Sequence, residues 1–196
     1  MDKVNNGNGL KMAYLDEGES EEVILLLHGF PELAYSWRRV VPALVHAGYR
    51  VIAPDQRGYG ETTGWALGYD VELVPYAFEN LVRDVLGLLN ALDIPSVAAV
   101  VGHDFGSPVA AWAAMTYPDV FRRLVLMSAP FGVPTSNVFD AVVRLEPPRV
   151  HYHHYYATPT ADGDMRDPPQ GLHDFLRGYF HYKSACLLYT SPSPRD

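Results

Sequence analysis

The sequence predicts the α/β class, with a mostly parallel sheet carrying helices on both faces. Three observations carry this. Apolar β-runs recur at Val23–Leu27, 49–53, 97–101 and Leu124–Met127. Helical patterns separate them, most clearly over 76–92, where Leu81, Val85, Leu88, Leu89 and Leu92 fall on one face. The runs are continuous rather than alternating, as suits strands covered on both sides.

The elements follow in order. Residues 11–16 predict a strand, closed by Glu17-Gly18. Val23–Leu27 is a continuous apolar β-run and predicts a buried strand. Residues 37–47 predict a helix, ended by Gly48. The strand at 49–53 is stopped by Pro54. Pro75 sits near the start of helix 76–92 and Pro95 beyond its end, where proline is tolerated. A third buried strand at 97–101 leads into an Ala-rich helix at 108–116, and Leu124–Met127 predicts a fourth buried strand. After Ala129 the style changes. Prolines at 130, 134, 147, 148, 159, 168 and 169, with many Tyr and His, predict a separate lid-like region. The expected organisation is therefore 1–130 as core, 131–185 as the beginning of a helical cap, and 186–196 as a non-native tail.

Composition narrows the function classes. Apolar residues make up 48% and charged residues 19% of 196, which excludes a disordered chain. Fifteen Lys and Arg stand against 23 Asp and Glu, a net charge of −8. This acidic balance argues against nucleic acid or an anionic membrane as partner. Val23–Leu27 is far too short to span a bilayer. Residues 1–9 lack the basic and apolar regions of a signal peptide. One cysteine, Cys186, excludes an internal disulfide scaffold or a Cys-based zinc site, so a reducing cytoplasm is the expected location.

The motif that carries the chemistry is Gly102-His103-Asp104-Phe105-Gly106, between an apolar strand and an Ala-rich helix. A strand-turn-helix of this kind holds its apex residue in a strained conformation and lifts that side chain out of the sheet. Gly102 and Gly106 leave room for the turn. Asp104 occupies the apex, and the helix N-terminus behind it favours a carboxylate. The plainer reading is an Asp that caps the helix. A second motif, His28-Gly29-Phe30-Pro31, ends the Val23–Leu27 strand. There the backbone N–H of Phe30, with that of Phe105, is placed to form an oxyanion hole. A cis Phe30-Pro31 bond fits such a loop. His28 is expected to be a structural hydrogen-bonding residue, and His103 to point away from the apex. Glu32 is expected to be a structural carboxylate, with ordering of water near the site as the other role. Asp55-Gln56-Arg57-Gly58-Tyr59-Gly60 predicts a structural turn with an internal Arg/Asp pair. His151, His153 and His154 lack a partner at ligand spacing, so no metal site is expected.

HGFPELAYSWR, DQRGYG and VGHDFGSPVAAWAA, in this order and spacing, resemble the α/β-hydrolase superfamily, and most of all its soluble epoxide hydrolase branch. The resemblance covers residues 11 to about 185. It implies the N-terminal half of the α/β-hydrolase core plus the start of the cap. It also implies Asp104 as a nucleophile that forms an alkyl ester, which water then cleaves at the oxyanion hole to give a vicinal diol. The substrate so implied is a small apolar epoxide with water, and no cofactor. A ring-opened epoxide needs a proton donor. The resemblance assigns that role to the cap tyrosine Tyr152, ahead of Tyr155 and Tyr156. Phe105 departs from the Trp that many relatives carry after the nucleophile. A haloalkane or haloacid dehalogenase on the same scaffold is the alternative, although Phe105 offers a halide no side-chain donor. A non-catalytic binding protein of this fold is a further one. The family's acid and general-base His follow the cap, and none of the eight His here matches the base. The chain alone is therefore expected not to turn over. Residues 186–196 resemble translated sequencing adapter, which puts the native end near Ala185. Stereochemistry and oligomeric state have no signature in the sequence.

Overall fold

The computed structural model describes residues 1–129, 131–132 and 152–183. The chain divides into two compact units, Met1–Gly132 and Val133–Asp196. His151 and the tail 186–196 lie outside the described residues.

The first unit is built on a sheet of six strands among the described residues, ordered β1-β2-β4-β3-β5-β6. These are β1 (Asp2–Asn5), β2 (Lys11–Glu17), β3 (Val23–Leu27), β4 (Arg50–Pro54), β5 (Ala99–His103) and β6 (Leu124–Met127). β4, β3, β5 and β6 run parallel, with Leu25 opposite Ile52 and Val100, and Val101 opposite Val125. β1 and β2 join antiparallel at the other edge. The α/β class with a mostly parallel sheet is thus the fold.

Side-chain alternation along β3 sorts the core into two layers. Leu25 and Leu27 pack with Val85, Leu88, Val109 and Ala110, from α2 (Phe78–Ala91) and α3 (Gly106–Thr116). Ile24 and Leu26 face the other way, onto Trp37 and Val41. Leu25 and Leu27 are fully buried. Burying a side chain of that size contributes about 1.5–3 kcal/mol.

Three elements differ from expectation. The helix expected at 37–47 is a 3-10 turn, Ala34–Arg39, followed by a short α1 (Val41–His46). Pro42 lies in the first turn of α1, where its missing N–H costs nothing, so a new helix starts there. β1 forms from the polar segment DKVN because β2 offers it a backbone edge. The fourth buried strand is not buried: Leu124, Val125 and Met127 are 39%, 45% and 42% exposed. β6 is the outermost strand of the parallel side among the described residues, so apolar composition there does not bring two-sided cover.

In the second unit, 152–183 forms α4 (Tyr152–Tyr156), α5 (Ala161–Arg166) and α6 (Leu172–Lys183). No helix among the described residues is long and apolar enough to cross a membrane.

Candidate active site

β5 ends at His103 and α3 begins at Gly106, leaving Asp104 and Phe105 to make the turn. Asp104 has φ +49°, a left-handed conformation that costs a non-glycine residue about 1–3 kcal/mol. Two backbone bonds hold it there. Its N–H donates to the Met127 carbonyl at 2.9 Å, and its carbonyl accepts from the Ser107 N–H at 3.0 Å. The buried Ser107 hydroxyl binds the Gly102 carbonyl at 2.7 Å and accepts from the Met127 N–H at 3.2 Å. Ser107 therefore ties the turn to the end of β6, a role no sequence motif announced.

The glycines around the turn are required by contact. A Cβ on Gly102 would collide with the Gly106 carbonyl, and one on Gly106 with the Leu27 carbonyl. A Cβ on Gly29 would run into the Asp104 side chain itself. The two motifs, 74 residues apart, thus meet at van der Waals distance. The Phe30 N–H donates to Asp104 Oδ1 at 3.0 Å, and the Phe30-Pro31 bond is cis. The capping residue of α3 is Phe105, so Asp104 is not the helix cap. Among the described residues no cation forms an ion pair with Asp104.

The histidines divide by environment. His28 is fully buried. Its Nε2 accepts from the Gln56 N–H at 3.1 Å, so the proton sits on Nδ1, 2.9 Å from the Gly29 carbonyl. Burial pushes its pKa below 6.5, against the opposing pull of the Gly29 bond. Gln56 Nε2 also donates to the His28 carbonyl at 2.6 Å. His28 is thereby a strut for the Gly29–Phe30 loop. His103 turns elsewhere: Nδ1 lies 3.0 Å from Glu32 Oε2, and its ring meets Trp37 edge-on at 6.4 Å.

The 55–60 turn needs a correction. Arg57 does not pair within the motif. Its Nε and Nη2 both bind the Asp84 carboxylate of α2 at 2.7 Å, and both side chains are buried. Asp55 is already filled, accepting from the Ala34 and Glu61 N–H groups at 2.9 Å, and Gly60 closes against its carboxylate. Gln56 therefore supports the Gly29–Phe30 loop through His28, and Asp55 ties Ala34 to the turn, partners that spacing alone did not reveal.

Asp104, Phe30, Gly29, Pro31, His28, Glu32, His103 and Phe105 all belong to the first unit. Tyr152 belongs to α4 in the second and is 43% exposed, with its ring against His153 and Tyr156. Tyr155 donates to Asp164 Oδ2 at 2.7 Å, a bond that raises the pKa of the phenol. Among the described residues no group of three His, Cys, Asp or Glu could hold a metal ion.

A left-handed acidic apex after a parallel strand thus faces a glycine loop that supplies an N–H. The alpha/beta hydrolase fold family matches residues 22–159, and the chain belongs to that family. Among the proteins it is similar to are epoxide hydrolases. Epoxide hydrolase B of Mycobacterium tuberculosis is 40% identical over 168 residues, covering 80% of this chain and 45% of that protein. Bifunctional epoxide hydrolase 2 of Sus scrofa is 31% identical over 184 residues, covering 93% and 31%. The solved epoxide hydrolase VrEH1 of Vigna radiata superposes with a TM-score of 0.77 at 30% identity, over 91% of this chain and 53% of its own. The chain spans about half the length of that structure and less of the two sequence relatives.

Proposed function

We propose that the full-length form of this chain is an epoxide hydrolase that works through an ester on Asp104. The observation that carries this is the Phe30 N–H held 3.0 Å from Asp104 Oδ1 at a strained apex. One carboxylate oxygen is fixed by that donor, and the other attacks an epoxide carbon. The carbon–oxygen bond of the ring breaks, and the departing alkoxide takes a proton. Tyr152 is the donor assigned to it. Water then adds to the ester carbonyl, and the Phe30 and Phe105 N–H groups stabilise the tetrahedral oxyanion. Collapse releases the diol and restores Asp104.

The general-base His and its acid partner are assigned to sequence that follows the cap in the full-length form. His28 does not suit the base role, since both ring nitrogens are engaged and burial keeps it neutral. Glu32 and His103 are assigned supporting roles beside the nucleophile. The domain reading stays as 1–130 core, 131–185 cap and 186–196 tail. With Cys186 in that tail, residues 1–185 carry no cysteine, which suits a reducing cytoplasm.

The test is turnover by the full-length form. Styrene oxide is expected to give the diol, and 1-chlorobutane no chloride. Chloride release without diol from the epoxide would contradict the assignment. The 196-residue chain alone is expected to give no diol.

A further inference from the structure

We infer that Asn8 is a site of covalent self-modification. Its side-chain amide is converted to a carboxylate through a cyclic imide with Gly9, and the new charge is set against the buried Arg57–Asp84 pair. Asp104 has no part in this chemistry.

The sequence holds two Asn-Gly pairs, Asn6-Gly7 and Asn8-Gly9, one after the other in the turn from β1 to β2. In such a pair the backbone nitrogen of the glycine attacks the side-chain carbonyl carbon of the asparagine, because no Cβ on the second residue stands in the way. Both glycines are open: a Cβ on either would meet nothing within 4 Å.

The two asparagines differ in how their amides are held. Asn6 is 4% exposed. Its Oδ1 accepts from the Asn8 N–H at 2.9 Å and the Leu10 N–H at 3.1 Å. Its Nδ2 donates to the Asp84 carbonyl at 3.3 Å and to Asp84 Oδ1 at 3.2 Å. Turning that amide onto the Gly7 nitrogen would break these bonds inside the core. Asn8 is half-buried beside an exposed Gly9. Among the described residues its side-chain bonds fall on Nδ2 alone, to Asp84 Oδ1 at 2.8 Å and to the Asn80 carbonyl at 3.4 Å. Ring closure uses the carbonyl end of the amide, so Asn8 is the pair that reacts in the folded chain.

In the first step a bond forms between the Gly9 nitrogen and Asn8 Cγ, and the bond from Cγ to Nδ2 breaks. Nδ2 leaves as ammonia, carrying the proton that the Gly9 nitrogen gives up. Water then opens the imide. Opening at Cγ leaves aspartate at position 8. Opening at the main-chain carbonyl leaves isoaspartate, with the backbone routed through Cγ. The atom that leaves is the donor to Asp84, which is 2% exposed, and a carboxylate takes its place. Asp84 thus loses a hydrogen bond and gains a like charge. Isoaspartate also displaces the Asn8 carbonyl, which accepts from Arg57 Nη2 at 3.2 Å.

Peptide mass spectrometry tests this on the 196-residue chain, held in mildly alkaline buffer with and without urea. Trypsin releases Val4–Lys11, which carries both pairs. Fragmentation is expected to place the acid at Asn8, and a protein isoaspartyl methyltransferase to label part of the product. Asn6 is expected to convert roughly tenfold more slowly in the folded chain and to catch up in urea, where its buried bonds are gone. Asn8→Gln, which keeps an amide but closes a ring slowly, should hold its mass at that position. Asn8→Asp should lower the folding equilibrium constant about tenfold, read as a lower urea midpoint. The aged parent chain gives the same reading without a substitution, as a second transition at lower urea. The inference is overturned if Asn8 stays an amide in the folded chain while converting in urea, or if Asn6 converts as fast as Asn8 in the folded chain. An unchanged midpoint in both Asn8→Asp and the aged chain overturns the coupling to Arg57 and Asp84.

Discussion

The Asp104 turn and the 152–183 helices place their chemistry in opposite ways. At the turn, backbone does the work: three glycines forced by contact, one strained φ, and buried bonds from Ser107, His28 and Gln56. In the helices, Tyr152 is 43% exposed, and the Arg166–Asp162 pair has side chains 71% and 75% exposed. A group fixed by backbone geometry is set before any ligand arrives. A group on a short exposed helix takes its role from whatever packs over it.

Breaking buried polar contacts of the first unit should give the largest effects. Arg57→Leu leaves the Asp84 carboxylate buried without its cation. It is expected to cost about 3–5 kcal/mol in a urea titration, with Arg57→Leu/Asp84→Leu recovering most of it. Gly29→Ala drives a methyl into Asp104 and should cost about 1–3 kcal/mol. It should also lose the capacity of Asp104 to form an ester, seen by peptide mass. The buried His28 gives a pH signature. Its folded pKa lies below 6.5, so near that pH the unfolded chain binds more protons, and stability falls as pH drops through that region. The slope is expected to be at most about 1.4 kcal/mol per pH unit, and to flatten in His28→Gln. The helices provide the contrast. Arg166→Ala, in an exposed i,i+4 pair, should change stability by less than about 0.5 kcal/mol. A larger loss there would erase the distinction between the two regions.

How much of this could be read in advance follows the same division. β3 and β6 have the expected bounds because apolar runs and turn residues are local signals. The apolar run of β6 predicts burial but β6 is largely exposed, because burial depends on a strand's place in the sheet. β1 escaped notice because DKVN is polar and forms only against β2. At the site, GHDFG and HGFP marked Asp104 and Phe30, since glycine spacing encodes close approach. The motif predicts an internal partner for Arg57, whereas its partner is Asp84. Asp84 lies 27 residues further on, and only the docking of α2 brings it there. DQRGYG marks a turn at Asp55 and Gln56 but not their partners, and nothing marks Ser107, because the buried bonds of short polar residues arise from the fold.

The central claim is that Asp104 is a nucleophile rather than a structural carboxylate. Mass spectrometry of the peptide containing Asp104, after the chain is exposed to styrene oxide, tests it most directly. On the proposal that the ester-cleaving base is supplied by sequence after the cap, the account predicts one covalent styrene oxide adduct on Asp104, absent in Asp104→Ala. A folded chain that leaves Asp104 unmodified, or takes up the label equally in Asp104→Ala, would contradict it.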